Sequence, residues 1–568
     1  MPHFLTPLRQ PVIAALVMRS SLLRHRTFSK PCAYGCHPSR AISDTSDSRY
    51  EDFFRYTSGR WLWDEDAQLL ERYTRFNVHE LQRVAARSVG AQDCVSVTKL
   101  AEGGFNKVFR LVMDNGSVAI ARIPNPNAGP AFKTTASEVA TMDFVRTILG
   151  IPVPEVFAWS AEADNPVGAE YIVMEEAVGT QLGELWRNME LTSKVQIVNE
   201  VIAVEKKLLS LSFTRYGNIY FARNAFAGCE KAELAGTVSR SQREEVGARF
   251  VVGPVVDRDF WNKERASMNT DRGPWTCSQD YLKAIAKREI SWISRYAKPK
   301  PTTNLYAAYE AQSFTDTHIS LYRKFLDSVP YLLPNKQELI RPTIWHWDLQ
   351  APNLFVQGDK ITGLIDWQGA WAGPLFLQAR HPRLVDHNGK VMLKLPDNYE
   401  VLEDPNEKAR IRDQVERSIV LHMYEAGTAK VNPVLHEVLY LKHGRTRRET
   451  VDFAADTWDG SIIRFRECLI RIARHWNDFN SEMPCPISFS DEELKAHYEN
   501  ADGWNEKADF WASLDGFVHR DGWTSNDNYE QALEIFAELR EQGLKHLDGE
   551  ELAVFEEQTR WAMRQNTK

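Results

Sequence analysis

Nowhere in the 568 residues does an apolar run approach the roughly 18 residues that a membrane-spanning helix needs. The run Val12–Met18 near the start has seven. Cysteine is also scarce. The seven cysteines are odd in number and scattered, and they form no C-x-x-C pair, which argues against a structural zinc centre and fits a reducing compartment. A basic surplus is missing too, since the formal net charge of −8 leaves no footprint for nucleic acid. There is no repeat period and no low-complexity tract.

One absence is local. Residues 1–43 contain no Asp or Glu, yet carry Arg9, Arg19, Arg24, Arg26, Lys30 and Arg40 among Ser and Leu. That composition predicts a mitochondrial transit peptide, cut between about Arg40 and Tyr50, and a location in the mitochondrial matrix. A secretory signal built on Val12–Met18 and a disordered basic tail are the competing readings. Removing the six cations lowers the formal charge from −8 to −14.

The stretch that carries chemistry is Ile344–Pro374, IWHWDLQAPNLFVQGDKITGLIDWQGAWAGP. Residues 346–353 read as a polar loop closed by Pro352, Leu354–Val356 as a short strand, 357–360 as a turn and Ile361–Ile365 as the returning strand. Asn353 then enters a hairpin that Asp366 leaves, so two oxygen-bearing side chains share one edge. Such a pair suits a hard cation such as Mg2+. Taken singly, each of Asp348, Asn353 and Asp366 reads better as a turn or capping residue; it is the three in this order, with a strand pair between them, that point to a site.

The spacing H-x-D-x-x-x-x-N followed by I-D-W resembles the catalytic loop and metal-binding Asp of kinases. The form I-D-W-x-x-A-x-x-G-P, here Ile365–Pro374, is similar to the aminoglycoside phosphotransferase and choline kinase branch. D-F-G and A-P-E, the marks of protein kinases, are missing. With LAEGGFNKVFRL, ARIP and a long helical tail, the chain resembles the fungal mitochondrial family altered inheritance of mitochondria protein 9. The resemblance implies an α+β, bilobal protein-kinase-like fold with a β-rich N-lobe, a mainly helical C-lobe and a helical C-terminal extension. It also implies ATP and Mg2+ as cofactors, Asp348 as the base for a substrate hydroxyl, His346 as the brace of its loop, and Asn353 and Asp366 as metal ligands. Gln368 departs from the D-x-D or D-x-E form of some relatives.

Along this frame the chain divides into a leader (1–43), a flank with one packing helix (44–94), a nucleotide-binding N-lobe (95–180), a C-lobe with the catalytic loop and metal site (181–380) and a helical C-terminal region (381–568). In the flank, Asn77 caps a helix that Gly90 ends. Gly103 and Gly104, between two strands, let backbone N–H groups approach phosphate oxygens, although a plain hairpin turn needs glycine as often. The strand Ser117–Ile123 delivers Arg122 to the place where the kinase pattern has its phosphate-contacting Lys; Arg can also bind phosphate. A helix over 135–149 offers Glu138 as partner for Arg122, the alternative being a solvated glutamate. Strand 171–175 leads into the hinge, where the backbone of Glu175, Glu176 and Ala177 would meet the adenine edge.

Between 191 and 342, helices are predicted over 192–210, 279–296 and 304–326, with Arg272 and Trp275 either lining a substrate pocket or forming a turn that buries the tryptophan. Beyond Pro374, helices are predicted over 405–424, 490–500 and 528–542, the last closed by Gly543. The expected function is an ATP- and Mg2+-dependent phosphotransferase acting on a small-molecule hydroxyl. The alternative is an inactive kinase-like scaffold or nucleotide sensor, favoured by Arg122 in place of Lys and by a tail large enough to hold a protein partner.

Overall fold

The structure is a computed structural model and describes residues 48–298, 310–387, 389–480 and 482–563. The leader, and with it the cleavage region as far as residue 47, lies outside the described residues, as does the start of the helix expected from 304. No helix among the described residues is long and apolar enough to cross a membrane.

The protein is bilobal. Its N-lobe opens with helix α1 (Val78–Ser88), capped by the Asn77 side chain, which accepts from the Glu80 N–H at 3.1 Å. Five antiparallel strands follow: β1 (Cys94–Glu102), β2 (Asn106–Met113), β3 (Val118–Pro124), β4 (Val156–Ser160) and β5 (Tyr171–Glu175), in the sheet order β1-β2-β3-β5-β4. Helix α2 (Lys133–Thr147) crosses over between β3 and β4. The period-2 pattern of β2 puts Phe109, Leu111 and Met113 into a core shared with Phe76 and Leu81. That burial makes the sheet one rigid platform for whatever β3 and the glycine turn present.

After β5 the chain crosses to the C-lobe through β6 (Thr180–Gln181), which pairs with the hairpin β10 (Leu354–Gln357) and β11 (Lys360–Leu364). Gly179, at φ +102, has to be glycine, because a Cβ there would lie 2.3 Å from the Val356 carbonyl oxygen. The intervening C-lobe elements are α3 (Leu191–Leu208), β7 (Asn218–Phe221), β8 (Phe250–Gly253), α4 (Ser278–Tyr296) and α5 (Thr315–Leu332). Strands β9 (Pro342–Ile344) and β12 (Ala372–Pro374) pair with each other and bracket the candidate site stretch on both sides.

The C-terminal helices include α6 (Pro405–Val431), α7 (Gly444–Ala454), α8 (Ile462–Arg474), α9 (Asp491–Ser513) and α10 (Tyr529–His546). Those as far as α8 share the C-lobe core, through Tyr424, Val451, Phe465 and Trp476. From Leu514 onward a separate cluster forms around Leu62 and Trp63 of the flank. Ser490 and Glu493 form a capping box at the start of α9, with both bonds present. Four helix expectations are corrected. The helix expected over 304–326 begins at Thr315, after a 3-10 turn at Glu310–Ser313, and runs to Leu332. Helix α6 runs on to Val431 and α9 to Ser513. Helix α10 passes through Gly543 without ending there, and the Phe555 ring lies 2.3 Å from where a Cβ would be. Close approach, not a helix stop, accounts for that glycine.

Candidate active site

The hairpin β10–β11 forms with Leu354 opposite Leu364, and Gln357 pairs with Lys360, so the turn is tighter than the expected 357–360. The Ile365 N–H donates to the Asn353 carbonyl at 3.0 Å, so the entry of the hairpin and the residue before Asp366 are hydrogen-bonded neighbours. Asp366 itself sits at φ +65, a left-handed conformation that Asp tolerates better than most residues and that concentrates at functional sites. Its carboxylate is half-exposed and stands 3.7 Å from Arg122.

Asp348 is held from two sides. Its Oδ2 accepts from Gln350 at 2.7 Å and from the Asn353 amide nitrogen at 3.0 Å. The same Asn353 nitrogen also donates to the Asp348 carbonyl at 3.0 Å. With its nitrogen committed, Asn353 keeps its side-chain oxygen for another partner, which is the donor a cation would require. Asp348 Oδ1 is buried without a hydrogen-bond partner, and the exposed Arg383 guanidinium is 3.6 Å away. Beside it Trp347 turns outward, 58% exposed.

His346 is buried, and its Nε2 lies 2.9 Å from the Ile365 carbonyl oxygen. A carbonyl only accepts, so the ring proton is on Nε2. Burial holds the imidazole below its usual pKa, hence neutral. Trp367 packs edge-on against it at 4.7 Å. In this way one side chain of the loop is fastened to the residue preceding Asp366.

From the N-lobe, Arg122 pairs bidentately with Glu138, both side chains buried. Burial pushes the Glu138 carboxyl up to about 7, against the downward pull of the guanidinium. Gly103 and Gly104 lie between β1 and β2, the Gly103 N–H donating to the Asn106 carbonyl at 3.0 Å. A Cβ on either glycine would meet nothing within 4 Å, so packing does not demand glycine there. The hinge side chains hold structure: Glu175 lies 3.4 Å from Arg146, and Glu176 grips Arg110 at 2.6 and 3.1 Å. β5 ends at Glu175, so the backbone of Glu176 and Ala177 leaves the ladder.

Sequence reasoning missed the tie between the lobes. Gln368 Oε1 accepts from both Arg122 and Asn106, each at 2.7 Å, and Gln368 Nε2 donates to the Ala128 carbonyl at 2.9 Å. The available signal was a lone amide in the otherwise apolar run WQGAW. At the tip of the glycine turn, Phe105 lies under the Arg258 guanidinium at 4.0 Å, a second contact between lobes. Arg272 and Trp275 belong to a structural turn: Arg272 donates to the carbonyls of Phe260 and Arg265, and Trp275 is buried with its Nε1 on Asp271.

A subtelomeric hrmA-associated cluster protein of Aspergillus fumigatus is 33% identical to this chain over 490 residues, covering 79% of it and 92% of the relative. Altered inheritance of mitochondria protein 9 of Yarrowia lipolytica is 26% identical over 524 residues, covering 86% and 87%. Among solved structures, a type I macrolide 2'-phosphotransferase aligns at 13% identity with a TM-score of 0.32, over 70% of this chain and 98% of that one. No family model matches.

Proposed function

The chain belongs to the fungal family of the subtelomeric hrmA-associated cluster proteins and altered inheritance of mitochondria protein 9, and within that family we propose that it is an ATP- and Mg2+-dependent phosphotransferase acting on a hydroxyl group of a small molecule in mitochondria. The observation that carries this reading is the arrangement of Asp348. One carboxylate oxygen is fixed by Gln350 and Asn353, while the other has no hydrogen-bond partner and stands 3.6 Å from the exposed Arg383 guanidinium.

The residues fit the implied cofactors. Asn353 and Asp366 offer hard oxygen donors on neighbouring strands, and the open turn at Gly103 and Gly104 offers backbone N–H groups with no side chain in front of them. Bound there, Mg2+ and ATP supply the transferable phosphoryl group and neutralise its charge. The chain's own work is positioning and proton handling. Asp348 Oδ1 accepts the hydroxyl proton, Asn353 and Gln350 keep that carboxylate aimed, and neutral His346 braces the loop without competing for the proton. Arg122, oriented by Glu138 and Gln368, places a permanent positive charge beside Asp366. The relatives named mitochondrial support the location.

A second reading, nucleotide sensing without transfer, is favoured by one observation: both terminal nitrogens of Arg122 are already engaged by Glu138 and Gln368. Incubating the leaderless protein with ATP, Mg2+ and a library of hydroxylated metabolites separates the two. Transfer that Asp348→Ala abolishes supports the enzyme. Nucleotide binding with no turnover across the library, unchanged by Asp348→Ala, supports the sensor.

A further inference from the structure

Beside α2, away from the catalytic loop, lies a cavity of about 530 Å3 between that helix, β4 and the segments around β7 and β8. Its volume is in the range of small-molecule sites, roughly 300–1,000 Å3. Met142 and Arg146, four residues apart, come from one face of the helix, and Trp159, Phe221, Arg223 and Arg249 form the opposite wall. The Trp159 and Phe221 rings lie 6.1 Å apart and tilted by 31°; Phe221 is buried and stacked on Phe250 at 5.7 Å, so the half-buried Trp159 is the ring a flat group would meet.

Charge decides what the cavity would take. Arg249 is balanced by Asp143 at 2.5 Å and Glu245 at 2.7 Å, and Arg146 by Glu155 at 3.5 Å and Glu175 at 3.4 Å. Arg223 is different. Its guanidinium carbon stands 4.5 Å over the Phe221 ring, and it has no carboxylate partner among the described residues. A permanently charged fork above an aromatic face suits a ligand with an acidic group on a planar ring.

The cavity also touches the nucleotide machinery. Helix α2 carries Glu138, the partner of Arg122, one turn before Met142. Arg146 donates to the Val153 carbonyl and reaches Glu175 at the start of the hinge. A ligand that packs on Met142 or draws Arg146 toward itself therefore acts on both ends of the nucleotide cleft. We propose that this cavity binds a small aryl phosphate or aryl carboxylate and, through α2, tunes the affinity of the cleft for nucleotide. Only the second half of the proposal rests on the phosphotransferase reading.

Isothermal titration of the full-length protein with phenyl phosphate tests it, with inorganic phosphate and benzylamine as the bare-anion and cationic controls. Saturable binding of phenyl phosphate is expected, at least tenfold weaker binding of phosphate and none of benzylamine. Arg223→Glu should weaken phenyl phosphate at least tenfold with the melting temperature unchanged, and Arg223→Gln by less. Asp366→Asn should leave the titration as it is. No saturable binding, or binding that survives Arg223→Glu and disappears in Asp366→Asn, overturns the site. With saturating phenyl phosphate the Kd for ATP should shift at least threefold. An ATP affinity that does not move overturns the coupling. A protein that binds phenyl phosphate but no ATP contradicts the phosphotransferase reading and leaves the cavity standing.

Discussion

Gln368 accepts a hydrogen bond from Arg122 at 2.7 Å, across 246 residues of sequence. The bond joins the residue two after Asp366 to β3 of the N-lobe, so the lobes are tied to each other at the candidate site itself. Gln368→Ala leaves Arg122 and Asn106 without this acceptor. The expected cost is about 1–3 kcal/mol of stability, with weaker ATP binding in the same variant. Chemical denaturation and nucleotide titration check both. Normal ATP affinity in a destabilised protein would show that the bond is structural only.

The glycine turn separates fold from function. Neither Gly103 nor Gly104 has a positive φ, and a Cβ on either meets open space. Gly103→Ala and Gly104→Ala should therefore stabilise the protein slightly, by about 0.4–1 kcal/mol, through the unfolded chain. ATP affinity should fall in both, because the methyl group stands where phosphate would approach. Unchanged affinity in both would remove the phosphate role from this turn.

Asp366 combines a strained backbone, at φ +65, with the side chain proposed to hold the metal. Asp366→Gly removes the cost of the left-handed conformation, on the order of 1 kcal/mol, while losing a 3.7 Å, half-exposed ion pair to an Arg122 that Glu138 and Gln368 still hold. Thermal unfolding should show stability kept or raised in a variant that no longer transfers phosphate. A loss of several kcal/mol would contradict the strain argument.

Glu205 gives the fold a pH dependence. It is fully buried on α3, accepts from the Tyr424 hydroxyl on α6 at 2.9 and 3.1 Å, and burial pushes its pKa up to about 8 from an ordinary 4.5. The folded state holds this proton more tightly than the unfolded chain does. Its contribution is thus fully present below pH 4.5 and is lost progressively as pH rises toward 8, at no more than about 1.4 kcal/mol per pH unit. Glu205→Gln should flatten the fall of stability between pH 5 and 8. An identical slope in the variant would show that the carboxyl is already ionised in the folded protein.

The hairpin of the candidate site was legible because everything in it is local. Strand, turn and strand follow one another in sequence, and their pairing alone brings Asn353 next to Asp366. The Arg122–Glu138 pair needed only the step from one strand to the next helix. Gln368 was opaque because an amide carries no periodic signal and its partners lie 240 or more residues away. The same holds for Trp61, which pairs with Trp523 and donates to Asp521 across 460 residues. That pairing fastens the C-terminal helices to the N-terminal flank, which no reading of either segment alone contains. Gly543 misled because a glycine in the last turns of a helix reads as a stop, and only the packed Phe555 ring shows otherwise.

The account turns on Asp348 as a base and not as a turn residue. The most direct measurement is single-turnover transfer of the ATP γ-phosphoryl group to an acceptor found in the hydroxyl library, comparing wild type with Asp348→Asn. The account predicts that Asp348→Asn keeps its melting temperature and ATP affinity while the transfer rate falls by about 100-fold or more, the usual contribution of a positioned general base. A wild-type protein that binds ATP and Mg2+ but transfers to no acceptor, or an Asp348→Asn variant that transfers at the wild-type rate, would contradict it.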